Sequence, residues 1–295
     1  MGTDQRTDRE ATMASATIGL LHPGDMGSMV GASARANGLR VLWASEGRSP
    51  QTLERAAAAG LEDMKGLAPV VAAGQVILSV CPPHAAVDLA REVAAQGFSG
   101  IYVDGNAVSP QTGREIGRIV EKGGATFVDG GIIGPPPRKP GTTRLYLSGE
   151  QAGTIARLFE QGPLQAIAID GGPGAASALK MAYAAYTKGT SALLIAIRAL
   201  AMQAGVDKAL LDEWGLSQPG VAARSESAAR DNARKAWRFT GEMAEIAATL
   251  ESVDLPGGFF HAAGEIYERL AKYKDAAGTP SAEEVIRAAL QRNRV

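Results

Sequence analysis

The run His22-Pro23-Gly24-Asp25-Met26-Gly27 follows a short apolar stretch and opens a helix-length segment. A turn in that place turns backbone N–H groups and a helix N-terminus toward an anion, the usual seat of a diphosphate. Gly24 and Gly27 take the second and third places of a G-x-G-x-x-G turn, and His22 stands where the first glycine is usual. Residues 22–27 are therefore expected to hold the diphosphate of a dinucleotide, with His22 lining it and a catalytic imidazole as the alternative. One strand further on, Trp43-Ala44-Ser45-Glu46-Gly47-Arg48-Ser49 places small, neutral Ser45 where an acid would grip the ribose of NAD. Arg48 and Ser49 suit a 2′-phosphate instead, by ion pair and hydroxyl, so NADP is expected, with NAD possible. Glu46 argues the other way, and a solvated loop charge is the alternative for Arg48.

A second group lies on the apolar stretch 175–204. At 100° per residue, Lys180, Tyr183 and Thr187 share one helix face, and Lys188 lies about 80° from Lys180. A lysine in apolar surroundings loses hydration, its pKa falls, and it can shuttle a proton. Lys180 is the expected general acid/base, Tyr183 a hydrogen-bond donor to the same substrate oxygen, and Thr187 a substrate contact. A snorkelling or salt-bridged Lys180 and a core-packed Tyr183 are the plainer readings.

Other candidates sit at strand ends. Asn106 is expected to orient substrate or nicotinamide, or to cap the next helix. Gly130, Gly131 and Gly134 are expected to let a ligand approach the backbone. Cys81 and Pro82 end a strand beside the expected cofactor crevice. Cys81 reads as a small buried filler, because no histidine–acid pair can be argued to activate it. Arg138 and Lys139, in a proline-rich loop, suit either an anionic substrate or a solvated turn. Trp237, Arg238 and Glu242 read as packing of an amphipathic helix, with a reach into the active site as the alternative.

The elements that must carry these residues alternate. Strand-like runs at 17–21, 40–45, 75–81, 100–106, 125–131, 144–149 and 166–172 are separated mostly by helix-length segments. That pattern predicts an α/β Rossmann-type, doubly wound parallel sheet over 16–172. Only helical patterns follow, at 175–204, 207–214, 219–250, 258–272 and 281–292, so an all-α domain over 173–295 is expected, with substrate-binding and dimerisation roles. Residues 1–15 are polar and lack the apolar core of a secretory signal; they read as a disordered lead-in. A length of 295 residues suits two domains. With 30 basic against 31 acidic residues, the net charge of −1 supports neither nucleic acid nor a membrane as partner. One cysteine and three scattered histidines exclude a disulfide framework and a thiolate or histidine-rich metal site. Lys180, Lys188 and Arg198 make the longest apolar segment a poor membrane span. A cytoplasmic protein that pairs into a homodimer through its helical domain is expected.

In order along the chain, Leu21–Gly27 resembles a GLGxMG turn, Asp104–Pro110 a D-x-S-T-x-x-P strand end, and Asp129–Pro135 a D-A-P-V-S-G-G loop. Gly174–Lys180 resembles a glycine-rich helix entry that ends in a lysine. Together these resemble the β-hydroxyacid dehydrogenase / 6-phosphogluconate dehydrogenase superfamily over about 16–290. Leu179–Tyr183 and Trp237–Met243 are similar to a branch with a phosphogluconate-dehydrogenase-type C-terminal domain. The resemblance implies that Lys180 is the catalytic lysine of an NAD(P)-dependent oxidoreductase. Its reaction would move hydride between nicotinamide and a small hydroxy acid, or the keto or semialdehyde form. The sequence departs from the family where asparagines follow the lysine (Tyr183-Ala184), in the substrate loop (Ile133-Gly134-Pro135) and in the serine–threonine pair (Asn106-Ala107). An imine reductase-like enzyme and a non-catalytic dinucleotide-binding sensor or scaffold are the alternatives.

Overall fold

The computed structural model describes residues 16–291; the lead-in expected over 1–15 lies outside them. The described chain divides into two compact units, with the boundary between Lys180 and Met181. The expected boundary at 172/173 falls where the sheet has ended, but the first turns of the next helix pack with the sheet.

The first unit is built on one eight-stranded sheet in the order β3-β2-β1-β4-β5-β6-β7-β8. Its strands are β1 (Thr17–Leu21), β2 (Arg40–Trp43), β3 (Glu62–Asp63), β4 (Val76–Ser79), β5 (Ile101–Asp104), β6 (Thr126–Ile133), β7 (Thr143–Ser148) and β8 (Leu164–Ala168). Helices α1 (Asp25–Ala36), α2 (Pro50–Ala58), α3 (Leu67–Ala73), α4 (Ala86–Ala95), α5 (Pro110–Lys122) and α6 (Ala152–Arg157) connect them. Every neighbouring pair is parallel except β6 with β7, which is antiparallel. The expected Rossmann-type fold is therefore present, with one reversed pair. Both faces are apolar, as helix-covered parallel strands require. Alternate residues supply two cores: Ile18, Leu20, Val41 and Val103 pack on one face, Leu21, Leu42, Ile77 and Tyr102 on the other. The chain runs outward from β1 to β3 and then returns to β4 on the other side of β1. This is a topological switch point, where such sheets bind ligands beyond their strand ends.

The sequence pattern missed β3 and α3. Two residues of strand are too short to show alternation, and Pro69 breaks the α3 pattern although it costs no hydrogen bond in a first turn. The run expected at 166–172 is a strand only to Ala168; Gly171 and Gly174 then take positive φ angles of 117° and 101°.

The second unit is helical. Helix α7 (Ala175–Ala184) passes through a π-helical turn at Ala185–Gly189 into α8 (Thr190–Gln203), followed by α9 (Asp207–Ser217), α10 (Val221–Ala233), α11 (Ala236–Glu251), α12 (Gly258–Leu270) and α13 (Ala282–Ala289). The single helix expected over 219–250 is two. The Asn232 side-chain amide donates to the Ala228 carbonyl at 2.9 Å and the Lys235 N–H turns back to Asn232 at 2.9 Å. The ladder is thus broken without glycine or proline. Buried Arg198 braces this unit, giving two hydrogen bonds to Asp207, at 2.6 and 3.0 Å, and one to Ser225 at 2.9 Å. Replacing one member strands the others. Arg198→Ala is expected to cost about 3 kcal/mol of stability in chemical denaturation, whereas Lys208→Ala, whose pair with Asp212 is exposed, should cost under about 0.5 kcal/mol.

Candidate dinucleotide and proton-transfer site

The turn after β1 has the geometry its residue types suggest. His22 takes a left-handed backbone, φ 63°, a conformation histidine tolerates better than most residues. Its carbonyl oxygen accepts the Gly24 N–H at 2.8 Å. A Cβ on Gly27 would collide with that same oxygen, whereas a Cβ on Gly24 would meet nothing within 4 Å. Gly27 is thus required by the protein, and the space over Gly24 is open to a ligand. Gly24 caps α1 with no side-chain bond to its free N–H groups, so the helix start is available to an anion. Asp25 in that first turn is paired with Arg138 at 3.1 Å, which brings the proline-rich loop to the phosphate turn.

Beside the turn, at the ends of β1 and β2, lies a cleft of about 280 Å³ lined in part by Leu21, His22, Ala44, Glu46, Arg48 and Leu67. Two buried nitrogens here, His22 Nδ1 and Arg48 Nε, have no hydrogen-bond partner. Burial, and then the Arg48 charge, lower the His22 pKa to about 4. These features fit a dinucleotide: phosphates at the turn and an adenosine end in the cleft. Ser45 bonds to the Asp63 carboxylate. Ser49 caps α2, its oxygen accepting the Thr52 N–H at 3.3 Å. Both hydroxyls expected at the ribose or its phosphate therefore already have partners within the protein.

Further along the sheet edge, Leu21, Ser79, Asp104 and Asp129 stand in register across β1, β4, β5 and β6. Asn106 is buried just past this row. Its amide donates to Ser79 Oγ at 3.0 Å and to the Asp104 carboxylate, and its oxygen accepts the Cys81 N–H at 2.6 Å. It clamps the ends of β4 and β5 together. Cys81 and Pro82 are half-buried on this clamp, and burial pushes the Cys81 thiol up to about 12, which leaves it protonated and unfit as a nucleophile.

The glycines of β6 carry a correction. A Cβ on Gly130 would lie 2.7 Å from the Asp104 carbonyl oxygen, and one on Gly131 would lie 2.8 Å from both the Ala176 oxygen and Lys180 Cβ. Gly134, at φ 125°, is crowded by Thr142. The room that sequence reading assigned to a ligand is filled by the protein's own backbone and by α7. The consequence is that the half-buried Lys180 is rooted on β6, beyond the row of strand ends. From β1 to β6 is three strand spacings, roughly 14 Å.

What fixes α7 there is a set of bonds that sequence reading missed. Asp129, fully buried, accepts from Ser177 Oγ at 2.5 Å, Ser177 N at 2.9 Å, Gly174 N at 3.1 Å and Ser148 Oγ at 3.1 Å. Burial raises its pKa against the pull of these bonds. The one available signal was an Asp inside an apolar strand, Asp129, and a Ser at a strand end, Ser148.

The shared face of Lys180, Tyr183 and Thr187 also needs correction. The π-turn at Ala185–Gly189 inserts about one residue, so everything beyond it is turned back by about 100°. Within that turn each residue advances by less than 100°, so Lys188 comes nearer the Lys180 direction and Thr187 moves away from it. The Thr187 hydroxyl donates to the Tyr183 carbonyl at 3.1 Å, and Tyr183 is 46% exposed.

Two outcomes follow from this geometry. Gly24→Ala should leave thermal stability nearly unchanged but weaken dinucleotide binding, measured by calorimetry, at least about tenfold, whereas Gly27→Ala should lose stability as well, because its Cβ has no space. Unfolded His22 takes up its proton near 6.5 and the folded one near 4; stability is therefore present above pH 6.5 and lost as pH falls toward 4. His22→Gly should lose less stability over that window than the wild type in acid-denaturation curves.

Residues 16–157 match the NAD binding domain of 6-phosphogluconate dehydrogenase, and residues 201–270 match a domain of unknown function, DUF1932. An uncharacterized 28.5 kDa protein of Methanothermus fervidus is 32% identical over 168 residues, which are 57% of this chain and 64% of that protein. The conserved protein MTH1747, of unknown function and described as structurally similar to 3-hydroxyacid dehydrogenases, superposes with a TM-score of 0.64 at 28% identity, covering 88% of this chain and 100% of its own. Mycobacterium tuberculosis 3-hydroxyisobutyrate dehydrogenase, solved with L-serine, shares the fold at a TM-score of 0.66 and 18% identity, over 94% of this chain and 100% of its own. The sheet and phosphate turn of the first unit thus carry the match to the NAD binding domain of 6-phosphogluconate dehydrogenase, and the chain shares its fold with MTH1747 and 3-hydroxyisobutyrate dehydrogenase.

Proposed function

We propose that the protein is an NADP-preferring oxidoreductase that moves hydride between nicotinamide and a small hydroxy acid or its keto or semialdehyde form, with Lys180 as general acid/base. The observation that carries this reading is Lys180 rooted on Gly131, on the same strand-end side of the sheet as the phosphate turn. A bound nicotinamide supplies the hydride acceptor or donor. In oxidation, neutral Lys180 takes the proton of the substrate hydroxyl; in reduction, its ammonium protonates the oxygen of the carbonyl being reduced. Tyr183, three residues on along α7, donates a hydrogen bond to that oxygen. Asn106 acts from behind, keeping the β4 and β5 ends in place. Arg48, whose Nε is buried without a partner, pairs with the 2′-phosphate.

The same reading includes a homodimer through the helical unit. Tyr186, Leu193 and Leu200, 63%, 43% and 68% exposed, support an apolar contact surface there, and a monomeric mass by light scattering would refute it. No helix of the described residues is long and apolar enough to cross a membrane, in keeping with the proposed cytoplasmic location.

Turnover should be found by screening small hydroxy acids, aldehydes and imines with both cofactors. Lys180→Ala should then lower kcat by about 10²- to 10⁴-fold with cofactor affinity kept; full activity in that variant would sink the mechanism, and binding without turnover across the screen would favour a sensor. Arg48→Ala should weaken NADP about tenfold or more and leave NAD nearly unchanged, with equal losses counting against the phosphate contact.

A further inference from the structure

The residue that departs from the usual dinucleotide turn, His22, is also one that lines the cleft beside it. It holds a left-handed backbone, φ 63°, where glycine would sit without strain. Its ring lines the cleft of about 280 Å³ together with Arg48. His22 Nδ1 and Arg48 Nε are both buried and both without a partner. Orphaned buried nitrogens are rare in native proteins, and two on residues that line one cleft point to an acceptor that arrives with a ligand. A single neutral oxygen could serve one of them. A phosphomonoester, with three acceptor oxygens and two negative charges, serves both.

The charges around the imidazole set the direction of its response. Arg48 and Glu46 reach the cleft from the loop after β2, and Glu92 lines it from α4. Asp25, in the first turn of α1, is held by Arg138, and the Cys81 thiol stays neutral at a pKa of about 12. Desolvation and Arg48 keep the empty imidazole uncharged, near a pKa of 4. A dianion placed beside it offsets the Arg48 charge and adds an attractive one, which favours the protonated ring against the desolvation that remains.

We propose that His22 and Arg48 form a proton-coupled clamp for the 2′-phosphate, in which the His22 imidazole takes up a proton from solvent as a 2′-phosphorylated nucleotide binds. This rests on the NADP reading above and adds to it a titrating group. A cofactor with a 2′-hydroxyl brings no charge to the clamp and no proton with it, so His22 sharpens the choice between NADP and NAD as pH falls.

The test is calorimetry of 2′,5′-ADP and 5′-AMP at pH 7.5, where the phosphomonoester is already mostly dianionic, in buffers of different ionisation enthalpy. For the wild type, 2′,5′-ADP should bind about tenfold or more tightly than 5′-AMP, with net proton uptake; 5′-AMP should show none. His22→Gly, which suits the left-handed backbone, and His22→Asn, which tolerates it and does not titrate, should abolish the uptake. Each should weaken 2′,5′-ADP about tenfold with 5′-AMP unchanged. If the 2′-phosphate adds affinity that Arg48→Ala removes, yet no proton is taken up or both His22 variants bind as the wild type does, the clamp is overturned while the cofactor reading stands. If the 2′-phosphate adds no affinity at all, both fall.

Discussion

Asp129 is a carboxylate with no access to water, and the position of the proposed proton-transfer residue depends on the bonds it accepts. Ser177 alone gives it two, through its hydroxyl and its N–H at 2.5 and 2.9 Å, and Gly174 gives a third at 3.1 Å. Ser148 Oγ adds a fourth and accepts the Ala176 N–H at 3.1 Å. The free N–H groups at the start of α7 are thus satisfied by side chains of β6 and β7, in the way an N-cap works but from across the sheet. A negative group at a helix start is also favoured by the helix dipole. Lys180 lies one turn beyond Ser177, so its direction is set by this joint. Gly131 completes the arrangement by having no side chain where Lys180 Cβ must pass. Charge, cap and missing Cβ act on a single turn of helix.

The phosphate turn works by the opposite means. No side chain caps the free N–H groups at the start of α1: its cap residue, Gly24, offers no side-chain bond. What is rigid is the backbone before it, where the His22 carbonyl is hemmed in by Gly24 N–H and the Cα of Gly27. One helix start is saturated to hold a side chain in place, and the other is left open for a ligand to saturate. Both lie at the edge marked by the C-terminal ends of β1, β4 and β5, with which Asp129 is in register, so one edge of the sheet carries an open helix start and a fixed one.

The sheet was legible because its strands are apolar on both faces and end in turns with distinctive residues. The phosphate turn was legible because glycine spacing after a first strand has a steric reason that the order of residues reveals. The glycines of β6 were misread for a physical reason: a glycine declares that something comes close, but not what. At Gly130 and Gly131 the close atoms belong to Asp104, Ala176 and Lys180. Asn106 was ambiguous in the same sense, since an amide at a strand end suits a ligand and a neighbouring strand equally, and here Ser79, Asp104 and Cys81 use all of it. Long-range partners such as Asp129 and Ser177 leave no periodic trace at all.

The π-turn is the feature furthest from anything a helical wheel can reveal, and the structure shows why it persists. Hydroxyls brace the backbone of this stretch by bonding to its carbonyls. Thr187 Oγ1 donates to the Tyr183 carbonyl at 3.1 Å, Ser191 Oγ to that of Thr187 at 3.0 Å, and Tyr267 to that of Lys188 at 2.7 Å. Lys188 is locked as well, paired with Glu242 and set 4.9 Å over the Phe239 ring, which itself packs edge-on against Tyr267. A buried ion pair of this kind adds little net stability, but it is costly to break, so it fixes one arrangement over its competitors. Of the three residues read as packing this helix, Glu242 packs, against the turn, whereas Trp237 and Arg238 are exposed. An ordinary helix would have presented Thr187 alongside Lys180; this one presents Lys188, already neutralised, and turns Thr187 back onto the backbone.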